Sequence, residues 1–332
     1  MVDLAGSLRK AYVQFAILLG TLLLYLLVKG FSPQLGVLLL ALIFIEILAM
    51  VALEVRQGAR EAGWKHELLD TVLALAAAFA IWISASFVLN TSSPISAVVS
   101  CSMLPNLYRG DFVVLQGAQP DSYHISMTER EFADFSAGTP TLLWNGTSTR
   151  VNGSAYAYCG PSNPGAYAPL CRAFVSDPAS VEEVSGPFTY RYSTCSINYT
   201  DKGATVYGPC LTSVAFHGAE YPMNLSHDVI VYKSDPGNYY GLIGDIVHRA
   251  VFTVDVNGDE YYLTKGDNNP IMDNQVFDYE KYRMGNQPIP ARNVRGKVIA
   301  RIPILGYYKL VLSLYFQEDA QCNTLMGYPY VK

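Results

Sequence analysis

Charge is scarce in this chain, and neither sign is in large excess. Of 332 residues, 23 are Lys or Arg and 28 are Asp or Glu, a formal net charge of −5. This balance provides no basic surface of the kind that nucleic-acid binding needs. Histidine is also scarce, at five residues, which leaves few candidates for a general base near neutral pH.

The shortage of charge is most extreme near the N-terminus. Residues 11–28 and 71–89 carry no charged side chain, and residues 35–53 carry only Glu46. Runs of this length reach about 27 to 29 Å as helices, close to the roughly 30 Å of a bilayer's hydrocarbon core. Three membrane spans are therefore expected. A cleaved signal peptide fits poorly, because the first run is long and a second follows almost at once. Arg9 and Lys10 precede the first span, and Arg56, Arg60 and Lys65 separate the second from the third. Both places read as cytoplasmic, so the remaining 240 or so residues lie outside. Lys29 can snorkel toward headgroups, and Glu46 is expected to face another helix, neutral or hydrogen-bonded.

Two further features agree with an outside location. Cys159, Cys171, Cys195 and Cys210 fall in one region, with Cys101 and Cys322 outside it. That usage suits an oxidising compartment, and two bridges among the clustered four are expected. Glycosylation sequons stand at Asn145, Asn152, Asn198 and Asn224, with a fifth at Asn90 beside the third span.

Beyond the helices the chain reads as mainly β. Short strands are expected around Ile95–Val99, Phe112–Leu115, Asp228–Tyr232 and Asp245–Val254. The last turns back through Asn257-Gly258, a strong hairpin signal, toward Tyr261–Leu263. Between them lies a stretch rich in Gly, Ser, Thr, Pro and Tyr, with no helical period beyond about two turns. The expected organisation is a transmembrane region over 1–90, a β domain in two parts over 91–118 and 226–332, and a cysteine-containing inserted β-rich lobe over 119–225. Tyr308 to Phe316 is apolar but too short to span a bilayer, so it either rests on a membrane or forms a core strand.

Chemistry-bearing residues collect in three blocks. The first is SCSMLP followed by YRGDFVV, where Ser100, Cys101 and Ser102 are all small and nucleophilic. A serine nucleophile needs a base within hydrogen-bond reach and donors for the oxyanion. His66 lies in the presumed cytoplasmic loop, while His124 and His217 sit in the inserted stretch and His227 begins a strand. His248 differs, because it ends an apolar rise in GDIVHRAVF and is followed by Arg249. The third block, TKGDNNPIMD, is a turn that can aim Asp267 and Asp273 from beside a strand. Its acids lack the spacing and closing glutamate of a helix-loop-helix calcium site, so neither a metal nor a cofactor is expected.

In their order and spacing these blocks resemble the type I signal peptidases of the archaeal and endoplasmic-reticulum branch. The family pattern is Ser-Gly-Ser-Met-x-Pro with a following Gly-Asp and strand, then His-Arg closing an apolar strand, then Thr-Lys-Gly-Asp-Asn-Asn with a further acid. A weaker fourth match is GKVIARIPILG, from Gly296 to Gly306. The resemblance implies N-terminal transmembrane helices plus a mainly β extracytoplasmic signal-peptidase domain, here with a large inserted lobe. It implies Ser102 as nucleophile, His248 as general base and Asp273 as the acid orienting it, with Asp267 supporting the site. The backbone N–H of Ser102 and the Ser100 hydroxyl become the oxyanion donors. Met103, Pro105 and Arg249 line or support the substrate pocket. Lys265, whose type serves as base in bacterial relatives, reads here as charged and solvated.

Two departures stand out. Met272 replaces the first of two acids, and Cys101 replaces a glycine, either with φ below zero or with strain; it is a buried thiol or a partner for Cys322. The implied activity is removal of signal peptides from exported preproteins after small residues. The implied partners are those peptides, the bilayer and the translocation machinery. The implied place is the plasma membrane, or the endoplasmic-reticulum membrane in a eukaryote. A catalytically silent membrane scaffold or receptor, and a related protease for surface precursors, stand as alternatives.

Overall fold

The computed structural model describes residues 4–28, 33–161, 163–312 and 320–329; Lys29 and much of the Tyr308–Phe316 segment lie outside them. The chain divides into two units, Met1–Ala85 with Tyr308–Gln317, and Ser86–Tyr307 with Glu318–Lys332.

The first unit is built on α1 (Leu4–Val28), α2 (Pro33–Glu61) and α3 (Trp64–Val88). Among the described residues, α3 is the helix long and apolar enough to cross a bilayer, with a mean hydropathy of 2.1, and α1 holds a shorter apolar stretch, Tyr12–Tyr25. The described residues thus carry one candidate span where three were expected. Thr21 of α1 donates its hydroxyl to Glu46 of α2 at 3.0 Å. This partner offsets the cost of an acid among apolar neighbours, the need anticipated for Glu46.

In the second unit, two sheets follow from alternating apolar strands. The ranges of the first nine strands are β1 Ile95–Ala97, β2 Phe112–Gln116, β3 Tyr123–Ser126, β4 Thr141–Trp144, β5 Thr147–Arg150, β6 Glu182–Ser185, β7 Phe188–Tyr199, β8 Ala204–Phe216 and β9 Ala219–Pro222. They are followed by β10 Val229–Lys233, β11 Asp245–Val256, β12 Asp259–Lys265, β13 Ile289–Pro290, β14 Val294–Ile302 and β15 Thr324–Gly327. One sheet runs β1-β2-β14-β10-β11-β12-β13, with β3 added parallel to β11. The other runs β5-β4-β6-β7-β8-β9, with β15 added to β7. Tyr123–Ser126 therefore leaves the central stretch to join the first sheet, and the tail strand Thr324–Gly327 joins the second.

β11 lies between partners on both edges and is buried along nearly all its length, as an interior strand should be. It turns into β12 through Asn257 and Gly258, both at positive φ, the conformation a two-residue hairpin turn of this kind requires. Both sheets contribute to one core that contains Phe188, Tyr190, Leu211, Phe252, Leu263 and Met272. The short helices α4 (Glu129–Ser136), α5 (Ala155–Tyr158) and α6 (Pro169–Ser176) break up the central stretch. Past β14 the chain enters a helical turn, Tyr307–Leu312, rather than a strand.

All six cysteines are bridged, as Cys101–Cys322, Cys159–Cys171 and Cys195–Cys210. The clustered four pair among themselves, and Cys101 takes the second of its two expected states. Its φ is not positive, so the side chain replaces glycine there without left-handed strain. Of the sequons, Asn145 and Asn152 are exposed, while Asn198 and Asn224 are half-buried.

Candidate active site

Three elements of the second unit bring Ser102, His248 and Asp273 into one hydrogen-bonded chain. Ser102 follows β1 in a compact turn held by Asn106 N–H to Met103 O at 2.9 Å and Leu107 N–H to Met103 O at 3.0 Å. The peptide between Leu104 and Pro105 in this turn is cis. His248 sits in the middle of the sheet, opposite Ile230 of β10. Asp273 opens a short 3-10 turn beyond β12.

His248 Nε2 lies 2.8 Å from Ser102 Oγ, and its Nδ1 lies 2.6 Å from Asp273 Oδ2. All three side chains are buried. A neutral imidazole protonated on Nδ1 donates to the carboxylate and accepts from the serine hydroxyl, so one tautomer satisfies both contacts. Ser100, which is exposed, has its Oγ 3.1 Å from that of Ser102.

Asp273 is held by more than the histidine. Tyr232 donates its hydroxyl to Oδ2 at 2.9 Å, Thr264 donates to the same oxygen, and Asn286 Nδ2 donates to the Asp273 carbonyl at 2.9 Å. Tyr232 and Asn286 were not anticipated. A tyrosine among the apolar residues of DVIVYK was the available signal, since a buried hydroxyl must find a partner.

Asp267 does different work. It takes the Arg249 guanidinium in a bidentate pair, with Nε to Oδ1 at 2.8 Å and Nη2 to Oδ2 at 2.6 Å. It also accepts from Asn106 Nδ2 at 2.7 Å. Arg249 is buried and donates further to the His227 carbonyl. Arg249, expected to line or support the pocket, makes an internal tie, because a buried guanidinium needs its charge and donors matched. Met103 differs from expectation in the same way: it is 1% exposed and packed with Val98, Leu107, Val113, Leu115 and Val231. An unbranched apolar side chain on the inward face of the turn fills the core rather than a pocket.

Pro105 does line a cavity of about 620 Å³, together with Cys101, Leu104, Tyr108, Tyr307 and Leu325. Arg109, Arg301 and Asp111 add charge to its wall. Asp111 caps the YRGD turn, accepting from Tyr108 N–H at 2.8 Å and pairing with Arg301 at 3.0 Å. Gly110 has φ +92°, and a Cβ there would lie 2.0 Å from the Tyr307 ring. Both its conformation and its space exclude a side chain.

The TKGDNN turn is packed directly on the serine backbone. Asn268 N–H donates to Ser102 O at 2.7 Å, and its amide Nδ2 donates to Cys101 O at 3.2 Å and Thr324 O at 2.8 Å. A Cβ at Gly266 would come within 2.8 Å of Ser102 O, so glycine permits this approach. Lys265 is buried, contrary to its reading as solvated. Its Nζ donates to Tyr328 Oη at 2.8 Å and Gly266 O at 3.1 Å, and it lies over the Tyr328 ring. Burial pushes its pKa down to about 7, partly offset by the charges of Asp267 and Asp273. Of the other histidines, His217 pairs at the surface with Glu131, and His227 is buried with its pKa lowered, mainly by desolvation. Among the described residues no cluster of His, Cys, Asp and Glu is arranged to hold a metal ion.

No family model matches the chain. It is similar to proteins described as signal peptidase complex catalytic subunit SEC11. The sequence is 37% identical to that of Colletotrichum graminicola over 88 residues, 26% of this chain and 45% of the relative. It is 34% identical to that of Chaetomium globosum over 86 residues, 26% of this chain and 44% of the relative. A third, from Verticillium alfalfae, is 37% identical over 68 residues, 20% of this chain and 37% of the relative. The match spans less than half the length of these curated relatives. The resemblance to type I signal peptidases of the endoplasmic-reticulum branch holds over that stretch.

Proposed function

We propose that this chain is a membrane-bound serine endopeptidase that removes N-terminal signal peptides from exported preproteins after small residues. The observation carrying this reading is the buried chain from Ser102 Oγ through His248 to Asp273, with separations of 2.8 and 2.6 Å. Similarity to SEC11 catalytic subunits supports the choice of substrate.

In this reading His248 takes the Ser102 proton as the hydroxyl attacks the carbonyl of the scissile bond, then delivers it to the leaving amine. Asp273 holds the productive tautomer and stabilises the imidazolium. The Ser102 N–H and the Ser100 hydroxyl receive the oxyanion; removing one such donor costs about 3 kcal/mol of transition-state stabilisation. Water then hydrolyses the acyl-enzyme with His248 as base. Lys265 is not the base, because its Nζ is committed to Tyr328 and Gly266. The peptide binds extended beside the Pro105 cavity.

The remaining parts of the reading concern organisation. Residues 1–90 form the membrane region, in which α3 crosses the bilayer from a cytoplasmic start. The peptidase domain comprises 91–118 and 226–332 and the inserted lobe 119–225, less the one strand that each lends to the other's sheet, β15 and β3. The active site faces the cell exterior or, in a eukaryote, the lumen of the endoplasmic reticulum, where the translocation machinery delivers preproteins. The test is cleavage of a preprotein by membranes carrying Ser102→Ala. Loss of cleavage is expected, and cleavage at the wild-type rate would overturn the assignment.

A further inference from the structure

A carboxyl group in the second sheet is buried with no cation beside it among the described residues. Glu183 of β6 is 0% exposed, a costly state for an acid unless its oxygens are fully hydrogen-bonded. Its Oε2 accepts from Ala155 N–H and from Tyr192 Oη, each at 2.7 Å. Its Oε1 accepts from Gln275 Nε2 at 2.9 Å.

Gln275 connects this carboxyl to the site. It stands two residues after Asp273 in the same 3-10 turn, and its Nε2 also donates to Tyr192 Oη at 2.6 Å. Its Oε1 accepts from Met272 N–H at 3.0 Å, while Gln275 N–H returns a bond to Met272 O at 3.1 Å. The side chain thus closes the turn that begins with the residue just before Asp273. Asn274, between them, donates to Tyr190 Oη of β7 at 2.9 Å. Met272 itself is fully buried in the core shared by the two sheets. The turn carrying Asp273 is therefore gripped on both sides of the aspartate, at Met272 before it and at Asn274 and Gln275 after it.

We propose that Glu183 is a positioning residue: acting through Gln275, it sets the turn that aims Asp273 at His248, which makes the second sheet a working part of the active site. The inference rests on the reading of Ser102, His248 and Asp273 as the catalytic group. In its ionised form Glu183 suits this task because a carboxylate only accepts, so it fixes which end of the Gln275 amide faces it. With that end fixed, the amide oxygen is committed to Met272 N–H. Replacing Glu183 with glutamine can set an N–H₂ against the Gln275 N–H₂. Relieving that clash by turning Gln275 over withdraws the acceptor from Met272 N–H and releases the turn. Small misplacements of this kind reach the reacting groups as lost rate rather than lost binding.

The swap Glu183→Gln with Gln275→Glu reverses donor and acceptor and keeps the two bonds that set the turn, losing only the one from position 275 to Tyr192 Oη: position 183 donates to 275, and the carboxylate at 275 accepts from Met272 N–H. The experiment compares steady-state cleavage of one preprotein by the full chain in detergent, with the folded fraction of each variant measured alongside. Glu183→Gln is expected to lower kcat by about 10- to 100-fold with KM little changed, and the double swap to recover most of that loss. The inference is overturned by a wild-type kcat in Glu183→Gln, by a loss that only tracks the unfolded fraction, or by no recovery in the swap. If Glu183→Gln does not fold, Tyr192→Phe removes only the hydroxyl shared by Glu183 and Gln275. A lowered kcat in that variant supports the inference, and an unchanged kcat overturns it. Ser102→Ala, assayed in parallel, separates the two claims. Its retaining activity defeats the catalytic reading, whereas an inert Ser102→Ala beside a fully active Glu183→Gln defeats the positioning role alone.

Discussion

Cys101 and Cys322 are 221 positions apart in sequence and are joined by a disulfide one residue from Ser102. The bridge fastens the tail to the serine turn, and the tail then holds the neighbouring TKGDNN turn: Gln321 Nε2 reaches Asn269 Oδ1 at 2.6 Å, and Met326 N–H reaches Asn268 Oδ1 at 2.9 Å. Tyr328 completes the attachment, buried against the Cys195–Cys210 bridge. Opening a loop of this size removes about 5 kcal/mol in the chain-entropy account. Cys101→Ser with Cys322→Ser is therefore expected to melt well below the wild type and to cleave more slowly. A double variant that matches wild type in both melting and kcat would show that the strap is dispensable.

Asp273→Asn retains the shape of the acid and loses its charge and its preference for a donor on His248 Nδ1. The expected result is a fall in kcat on the order of 10³-fold or more, with KM and melting temperature little changed. Steady-state kinetics with a thermal melt decide it; a kcat within tenfold of wild type would remove Asp273 from the mechanism.

Asp267→Ala predicts the opposite pattern. It strands the buried Arg249 guanidinium, a loss in the range of about 3 to 5 kcal/mol. Denaturant unfolding is the measurement, and Arg249→Met combined with Asp267→Leu should recover much of the stability because it removes both charges. If Asp267→Ala unfolds like wild type, the pair is not structural.

Two buried groups set opposite slopes of stability against pH. Burial raises Glu183 from 4.5 to about 7, against the pull of its Ala155, Tyr192 and Gln275 hydrogen bonds. The folded state therefore binds more protons between pH 4.5 and 7, and stability from this group is lost as pH rises through that window, by up to about 3 kcal/mol. Lys265, lowered from 10.5 to about 7, binds fewer protons when folded. Its contribution is present above pH 10.5 and is lost as pH falls toward 7, by up to about 5 kcal/mol. Subtracting the Glu183→Gln and Lys265→Met stability profiles from wild type should show a negative slope below pH 7 and a positive one above it. Flat difference profiles would mean that neither group titrates in its window.

The sequence by itself determined the local parts: the apolar helices, the strands around Phe112, Val229 and Asp245, the Asn257-Gly258 hairpin, and the residue types of the serine, histidine and aspartate blocks. These follow from hydrophobic period, turn chemistry and spacing, which act over a few neighbours. Only the tertiary structure decided how the two aspartates divide. Asp267 and Asp273 are six positions apart in one loop, yet Asp267 meets Arg249 of β11 while Asp273 meets His248, the residue beside it. Successive side chains on a strand point to opposite faces, so the two acids are sorted by the pleat of a strand elsewhere in the chain. Burial was equally invisible, since Lys265 and Met103 have short-range contexts that suit solvent or pocket as well as core. The bond from Glu183 to the Asp273 turn spans 92 positions. Met272, apolar where the family pattern has the first of two acids, packs into the core shared by the two sheets and brings that turn within reach.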